Sequence, residues 1–265
     1  MEISIVQIIK NSINLFKKYK KQIIMPFVII FLLSLTLSVM SNDLNKMNEE
    51  ITNTSQTNPD LAISRIGEDL GFSILIMILS IIFGFINQML EFSVYTPIQE
   101  TMKKTKISNW KTHFKKQFIN TLKQLVISII IFITLILGIV LILLGAFLND
   151  LITFGILGGI CILIYLILLF VTMFSSYYIV LKNSGITKSI NLSYKTVKNN
   201  FKICLSFILV WGLILLTLSL LYIIIIFLTG EIPTYLYYIS IFISALFINP
   251  ILLISYIGLG DKLVK

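Results

Sequence analysis

The sequence predicts an all-α membrane protein, with six transmembrane helices in three hairpins. Each hairpin is preceded by a basic amphipathic interfacial helix on the cytoplasmic side. Three observations lead there. The 265 residues are 57% hydrophobic and 12% charged, where a soluble domain of this length carries about 25% charged residues. The apolar residues fall in six runs long enough for the roughly 20-residue helix that a bilayer core requires. All but two of the 21 basic residues lie in segments that six spans would place on one side.

The spans read, in order, as about 23–40, 71–96, 125–148, 151–181, 204–228 and 235–259 of a single polytopic membrane domain. The first follows a basic stretch and has no small-residue cleavage site, so it reads as an anchor and not a removable leader. Between the first two lies an outer loop, 41–70, rich in Asn, Thr, Ser and acid, with too few apolar residues for a core of its own. The composition predicts partial order there, with a short helix over 61–69. Asn149 and Asp150 alone join the third and fourth spans, which predicts a tight hairpin, and a turn over 230–233 joins the fifth and sixth.

Orientation follows from charge. The segment before the first span, the second-to-third connection, the fourth-to-fifth connection and the C-terminal tail hold every Lys except Lys46. The opposite side holds Lys46 and Arg65 among eight acids. Basic residues resist translocation, so the Lys-rich side, with both termini, is expected in the cytoplasm. This segregation also accounts for the net charge of +9 without nucleic acid. A lone Arg argues in the same direction, because base readout favours Arg.

The three Lys-rich segments are themselves patterned. Ile5, Ile9, Ile13 and Phe16 recur at helical spacing against Lys10 and Lys17. Trp110, Phe114, Phe118 and Leu122 oppose Lys111 and Lys115, and Ile186, Ile190, Tyr194, Val197 and Phe201 oppose Lys195 and Lys198. Apolar and basic faces at a 3.6 period predict amphipathic helices lying in the membrane surface. Each Lys near an anionic leaflet contributes about 1 kcal/mol. Membrane lipids, chiefly an anionic inner leaflet, are therefore the expected partners, with these six lysines as contacts. Ser12-Ile13-Asn14-Leu15 returns as Ser189-Ile190-Asn191-Leu192, and Phe118-Ile119-Asn120-Thr121-Leu122 is a looser echo. Three similar helical units in one orientation follow.

The third elbow, from Gly185-Ile186-Thr187-Lys188-Ser189-Ile190 through Asn199-Asn200-Phe201, resembles an element of a prokaryotic six-span family. That family includes the membrane domain attached to some glycerophosphoryl diester phosphodiesterases. There too a Gly precedes a Ser-rich amphipathic helix, and Asn precedes the next span. The resemblance covers most of the chain and implies fold and topology. It does not carry the enzymatic activity across, because the phosphodiesterase barrel needs acidic and His metal ligands and this chain offers one His, His113.

Glu91 is the single acid well inside a span. Ser80, Gly84, Asn87, Gln88 and Glu91 form one polar stripe on an apolar helix. A central charge facing lipid costs roughly 2.5–3.5 kcal/mol on insertion scales, so the stripe should face the bundle or a wet cavity. Two readings stand: a proton- or cation-responsive group with Asn87 and Gln88 as ligands, or an interhelical hydrogen-bond anchor near the inner interface. Asn249-Pro250 interrupts the sixth span and frees a backbone carbonyl, as a static kink or as a hinge or cavity wall. Pro97 is expected to end the second span. Tyr165, Tyr177 and Tyr178 fit an interfacial belt, and Gly155, Gly158 and Gly159 permit close helix approach. Trp211 reads as an anchor or a packing residue, and Cys161 and Cys204 as small buried hydrophobes.

No phosphate-binding loop, zinc helix, nucleophile elbow or catalytic carboxylate pair occurs, so no catalytic, cofactor-binding or metal-binding residue is expected. The leading expectation is a non-enzymatic integral membrane protein that is lipid-interacting, membrane-organising or an accessory subunit. The alternative is a small transporter or channel using Asn87, Gln88, Glu91 and Asn249. Abundant Ile, Lys and Asn beside scarce Ala and Arg point to an AT-rich prokaryote and its plasma membrane.

Overall fold

The computed structural model describes residues 4–57, 59–103, 108–148, 151–229, 239–240 and 242–264, and among them it contains no strand. Ten α-helices are described: α1 (Ile5–Thr57), α2 (Pro59–Ser93), α3 (Tyr95–Met102), α4 (Trp110–Phe114), α5 (Gln117–Phe147), α6 (Leu151–Val171), α7 (Ser175–Leu181), α8 (Ile186–Asn199), α9 (Phe201–Thr229) and α10 (Asn249–Leu263). A π-helical turn, Ser244–Ile248, leads into α10. Six helical stretches are long and apolar enough to cross a membrane: Ile23–Leu44, Leu70–Met102, Gln117–Phe147, Ile152–Leu181, Phe201–Leu220 and Ser244–Leu263.

The spans differ from the sequence reading mainly at their ends. Residues 41–57 continue α1 and 59–70 begin α2, where composition predicts a loop. The segment is polar, but its Glu, Lys, Met, Leu and Gln are adequate helix formers, and Pro59 starts α2 where a missing N–H is harmless. Pro97 does not end the second span. It sits in the first turn of α3, which carries the span to Met102. The links expected at 149–150 and 230–233 lie outside the described residues.

Packing is concentrated at the Lys-bearing ends of the spans. Ile23 and Phe27, Phe92 to Ile98, Phe174 to Ile179, Cys204 and Phe207, and Leu253 to Leu259 contribute most of the buried apolar residues. The other halves expose theirs: Ile74 to Ile82, Ile136 to Leu144, Ile152 to Ile160 and Leu213 to Leu220 are largely uncovered. Lipid tails are as apolar as Leu, so within a bilayer such residues gain little by burial against protein. Close backbone approach and hydrogen bonding have to hold the helices together.

Close approach occurs where α5 crosses α6. A β-carbon on Gly138 would meet the Gly158 carbonyl oxygen at 2.9 Å, and one on Gly158 would meet the Gly138 oxygen at 2.6 Å. Gly158 therefore behaves as the sequence suggests. Gly155 and Gly159 do not, since nothing stands within 4 Å of either. The partner of Gly158 across the crossing is Gly138, within the apolar run of α5.

The Lys-rich elbows pack on protein. A kink at Tyr19 divides α1. The part before it runs along α10: Ile8 stands 3.9 Å from the β-position of Gly258, and Phe16 packs edge-on against Phe247 with ring centroids 6.3 Å apart. In the third elbow, Asn183 adopts φ 48° after α7, a left-handed position that Asn tolerates better than most residues. The Ser184 N–H then reaches back to the Tyr178 carbonyl at 3.1 Å, which satisfies one of the last carbonyls of α7. That turn swings the chain into α8.

Candidate functional site

The buried face of each elbow is more polar than its apolar stripe suggests. Ser12 is buried and donates to its own helix at the Ile8 carbonyl, 2.8 Å away. Its counterpart in the repeated tetrapeptide, Ser189, is buried and donates to the Ile186 carbonyl at 2.7 Å. In the second elbow Gln117 and Thr121 are buried while Phe118 and Leu122 are exposed. In the third, Ser189, Ser193 and Thr196 turn inward and Tyr194 faces out. The six lysines assigned as surface contacts, Lys10, Lys17, Lys111, Lys115, Lys195 and Lys198, are all exposed. The ammonium groups of Lys111 and Lys198 lie 6.0 and 5.8 Å from the ring centroids of Trp110 and Tyr194.

The inward hydroxyls have a specific task. The fourth span breaks between α6 and α7 at residues 172–174, which strands backbone groups that lipid cannot satisfy. Ser193 of α8 covers one side, accepting from the Phe174 N–H at 3.0 Å and donating to the Val171 carbonyl at 2.7 Å. Tyr256 of α10 covers the other, accepting from the Tyr177 N–H at 3.3 Å and donating to the Met173 carbonyl at 2.7 Å. Ser176 lies 2.9 Å from the Tyr256 hydroxyl and accepts from the Tyr95 hydroxyl at 3.2 Å. Since Tyr256 spends its proton on Met173, Ser176 donates to Tyr256. A relay of hydroxyls therefore runs from α3 through α7 to α10.

Glu91, half-buried, stands four residues before Tyr95 of this cluster. Gln88 and Asn87 are half-buried above it, and Asn87 Oδ1 is shielded from solvent without a hydrogen-bond partner. The stripe does not continue as expected. Ser80 and Gly84 are exposed, with Ser80 donating to the Ile76 carbonyl of its own helix at 2.8 Å. A hydroxyl that can satisfy itself locally has no need to face the bundle.

Asn249 stands elsewhere. It is exposed and lines a cleft of about 700 Å³ with Ser34, Ser38, Ser41 and Asn42 of α1 and with Ser240 and Ser244. None of Asn87, Gln88 and Glu91 lines that cleft. The four residues assigned to one intramembrane site thus divide into an α2 group and an α1–α10 group.

Other assignments also shift. Tyr177 and Tyr178 are core residues, not an interfacial belt: the Tyr177 hydroxyl donates to Asp261 Oδ1 at 2.6 Å, and that of Tyr178 is 2.6 Å from Thr196 Oγ1. Gln99 Nε2 donates to the same Asp261 oxygen at 2.6 Å. Trp211 is buried against Phe207, so packing is its role. Cys204 is fully buried, whereas Cys161 is half-buried beside the Gly138 crossing.

One constellation escaped the sequence. Ser108 Oγ donates to Glu100 Oε2 at 2.6 Å and lies 2.7 Å from His113 Nε2, and the Ser108 N–H donates to Glu100 at 2.7 Å. The residue types match a nucleophile relay, but the order does not: serine stands between acid and imidazole, where a relay needs imidazole in the middle. Partial burial pushes the His113 pKa down, Glu100 draws it back up, and Lys116 lowers it further. Among the described residues no group of three or more His, Cys, Asp or Glu could hold a metal ion.

No protein-family model, no curated protein and no solved structure matches the chain.

Proposed function

We propose that this six-span chain is a non-enzymatic integral membrane protein that acts by binding lipid, as a membrane-organising protein or an accessory subunit. The observation that carries the reading is an apolar groove of about 680 Å³ between α6, α8 and α9, walled by Phe170, Val197, Phe201, Leu205 and Ile208, with Lys198 on its lining. An acyl chain fits the wall, and the ammonium group of Lys198 would meet the phosphate. The exposed lysines of the three elbows extend the attraction across an anionic leaflet. On this reading the elbows and both termini are cytoplasmic, in a prokaryotic plasma membrane. The spans form three hairpins on the plan of the six-span family that the third elbow resembles.

The test is the lipid retained through purification. Protein solubilised from mixed phosphatidylglycerol and phosphatidylcholine bilayers should keep the anionic lipid in excess by mass spectrometry, and K195Q/K198Q should reduce the excess. Equal retention of both lipids by the parent chain would refute the proposal.

A second reading, a small transporter or channel, is favoured by the Asn249 cleft. There a serine-lined space adjoins a π-helical turn and Pro250, and such turns concentrate at functional sites. Solute flux in proteoliposomes that N249A abolishes would support it.

A further inference from the structure

We propose that the lysines of three separate elements form a site for a phosphate group. A cavity of about 550 Å³ lies where the first elbow meets the ends of α3 and α10, and its lining includes Lys18, Lys103 and Lys262. Sequence alone assigns these three only to a general basic face, for they are 85 and 159 positions apart. The fold gathers them into one concavity of the size that small-molecule sites have.

The other lining groups suit the same ligand. Asn11 and Asn14 supply amide donors one helical turn apart, and both are exposed. The hydroxyls do not compete, since Ser12 and Thr101 donate to the Ile8 and Pro97 carbonyls of their own helices. Asp261 is the one acid on the lining. Its Oδ1 already accepts from Tyr177 and Gln99, and three lysines against one carboxylate leave an excess of two positive charges. Lysine is a point-charge phosphate ligand, and Ile8, Leu15 and Met102 give the pocket an apolar wall for whatever carries the phosphate. That carrier is either a lipid headgroup or a soluble phosphate compound. The lipid form rests on the bilayer reading above, and the soluble form does not.

The full chain in neutral detergent is titrated calorimetrically with glycerol 3-phosphate and with dioctanoyl phosphatidylglycerol; dioctanoylglycerol is the uncharged control. One saturable site per chain is expected for at least one phosphate ligand. K103Q/K262Q should weaken it at least about tenfold, because two of the three ammonium groups that would meet the phosphate are gone. K103R/K262R should retain it, and the K195Q/K198Q variant should leave it intact. Binding of the lipid alone assigns a headgroup, and binding of both with similar affinity assigns a soluble source. Equal binding of dioctanoylglycerol, or K103Q/K262Q binding like the parent, would overturn the site. Equal retention of both lipids by the parent chain, with this site still binding, would instead sink the groove reading alone.

Discussion

The hydroxyl of Tyr256 stands in for a backbone hydrogen bond, donating to the Met173 carbonyl at 2.7 Å while accepting from the Tyr177 N–H. In an unbroken helix those two backbone groups would bond each other. Replacing Tyr256 with Phe keeps the ring stacked on Phe174, with centroids 5.5 Å apart, and removes the bridge together with the Ser176 hydrogen bond. Y256F should lose about 1–3 kcal/mol, the cost of leaving buried polar groups unmade, measured by denaturant unfolding in detergent.

Ser193 performs the same service from α8, so S193A should cost a similar amount. The two bridges satisfy one break from opposite sides and will not act independently. A double-mutant cycle between S193A and Y256F should give a coupling of about 0.5 kcal/mol or more. Strict additivity would show that the two ends of the break are held separately.

Gly158 has no room for a methyl group: its added carbon would also meet Ile142 Cγ1 at 2.6 Å. G158A should destabilise the α5–α6 pair by about 1–3 kcal/mol, the usual cost of overpacking. G159A, with open space around it, is the matched control and should be neutral within error.

His113 is the one imidazole in the chain, so its proton resonance can be followed without assignment ambiguity. Its titration midpoint should lie below the ordinary value of about 6.5. E100Q should move it lower still, because Glu100 raises it. A depressed His pKa means that the unfolded chain takes up the proton first. The stabilisation associated with His113 is therefore complete above the unfolded pKa and is lost as pH falls through the folded one. Helix α4 should loosen on acidification, read as faster amide exchange.

Sidedness is open to cysteine labelling in a C161S/C204S background. An impermeant reagent applied to intact cells should modify D43C and spare K262C. Labelling of both from one side would contradict the lysine asymmetry on which the orientation rests.

The apolar runs made the spans legible, because a bilayer demands length and hydrophobicity and little else. Interior detail was harder to read. Of the Glu91 stripe, Asn87, Gln88 and Glu91 are half-buried while Ser80 is exposed, since periodicity cannot register that a serine can bond its own helix. Asn249 seemed to belong with Glu91 because both interrupt apolar spans; their separation depends on helix rotation, which spacing does not encode. Tyr177 and Tyr178 read as an interfacial belt in the sequence, because the helix break beside them carries no Pro or Gly to announce it. Gly138 carries no signal of its own in the sequence, because which face of α5 meets α6 depends on helix rotation.

The crowding of contacts toward one rim has a mechanical corollary. Elbows, hydroxyl bridges and aromatic packing bind helices near the lysines, while in the far halves α5 and α6 stay joined at Gly138 and Gly158 and most other apolar side chains face outward. A change in bilayer thickness or lateral pressure is then absorbed by tilting of the far halves about a common collar, with α5 and α6 moving as a pair, at small cost per ångström of mismatch. The deformation is confined to the acyl region, and the basic rim keeps its shape.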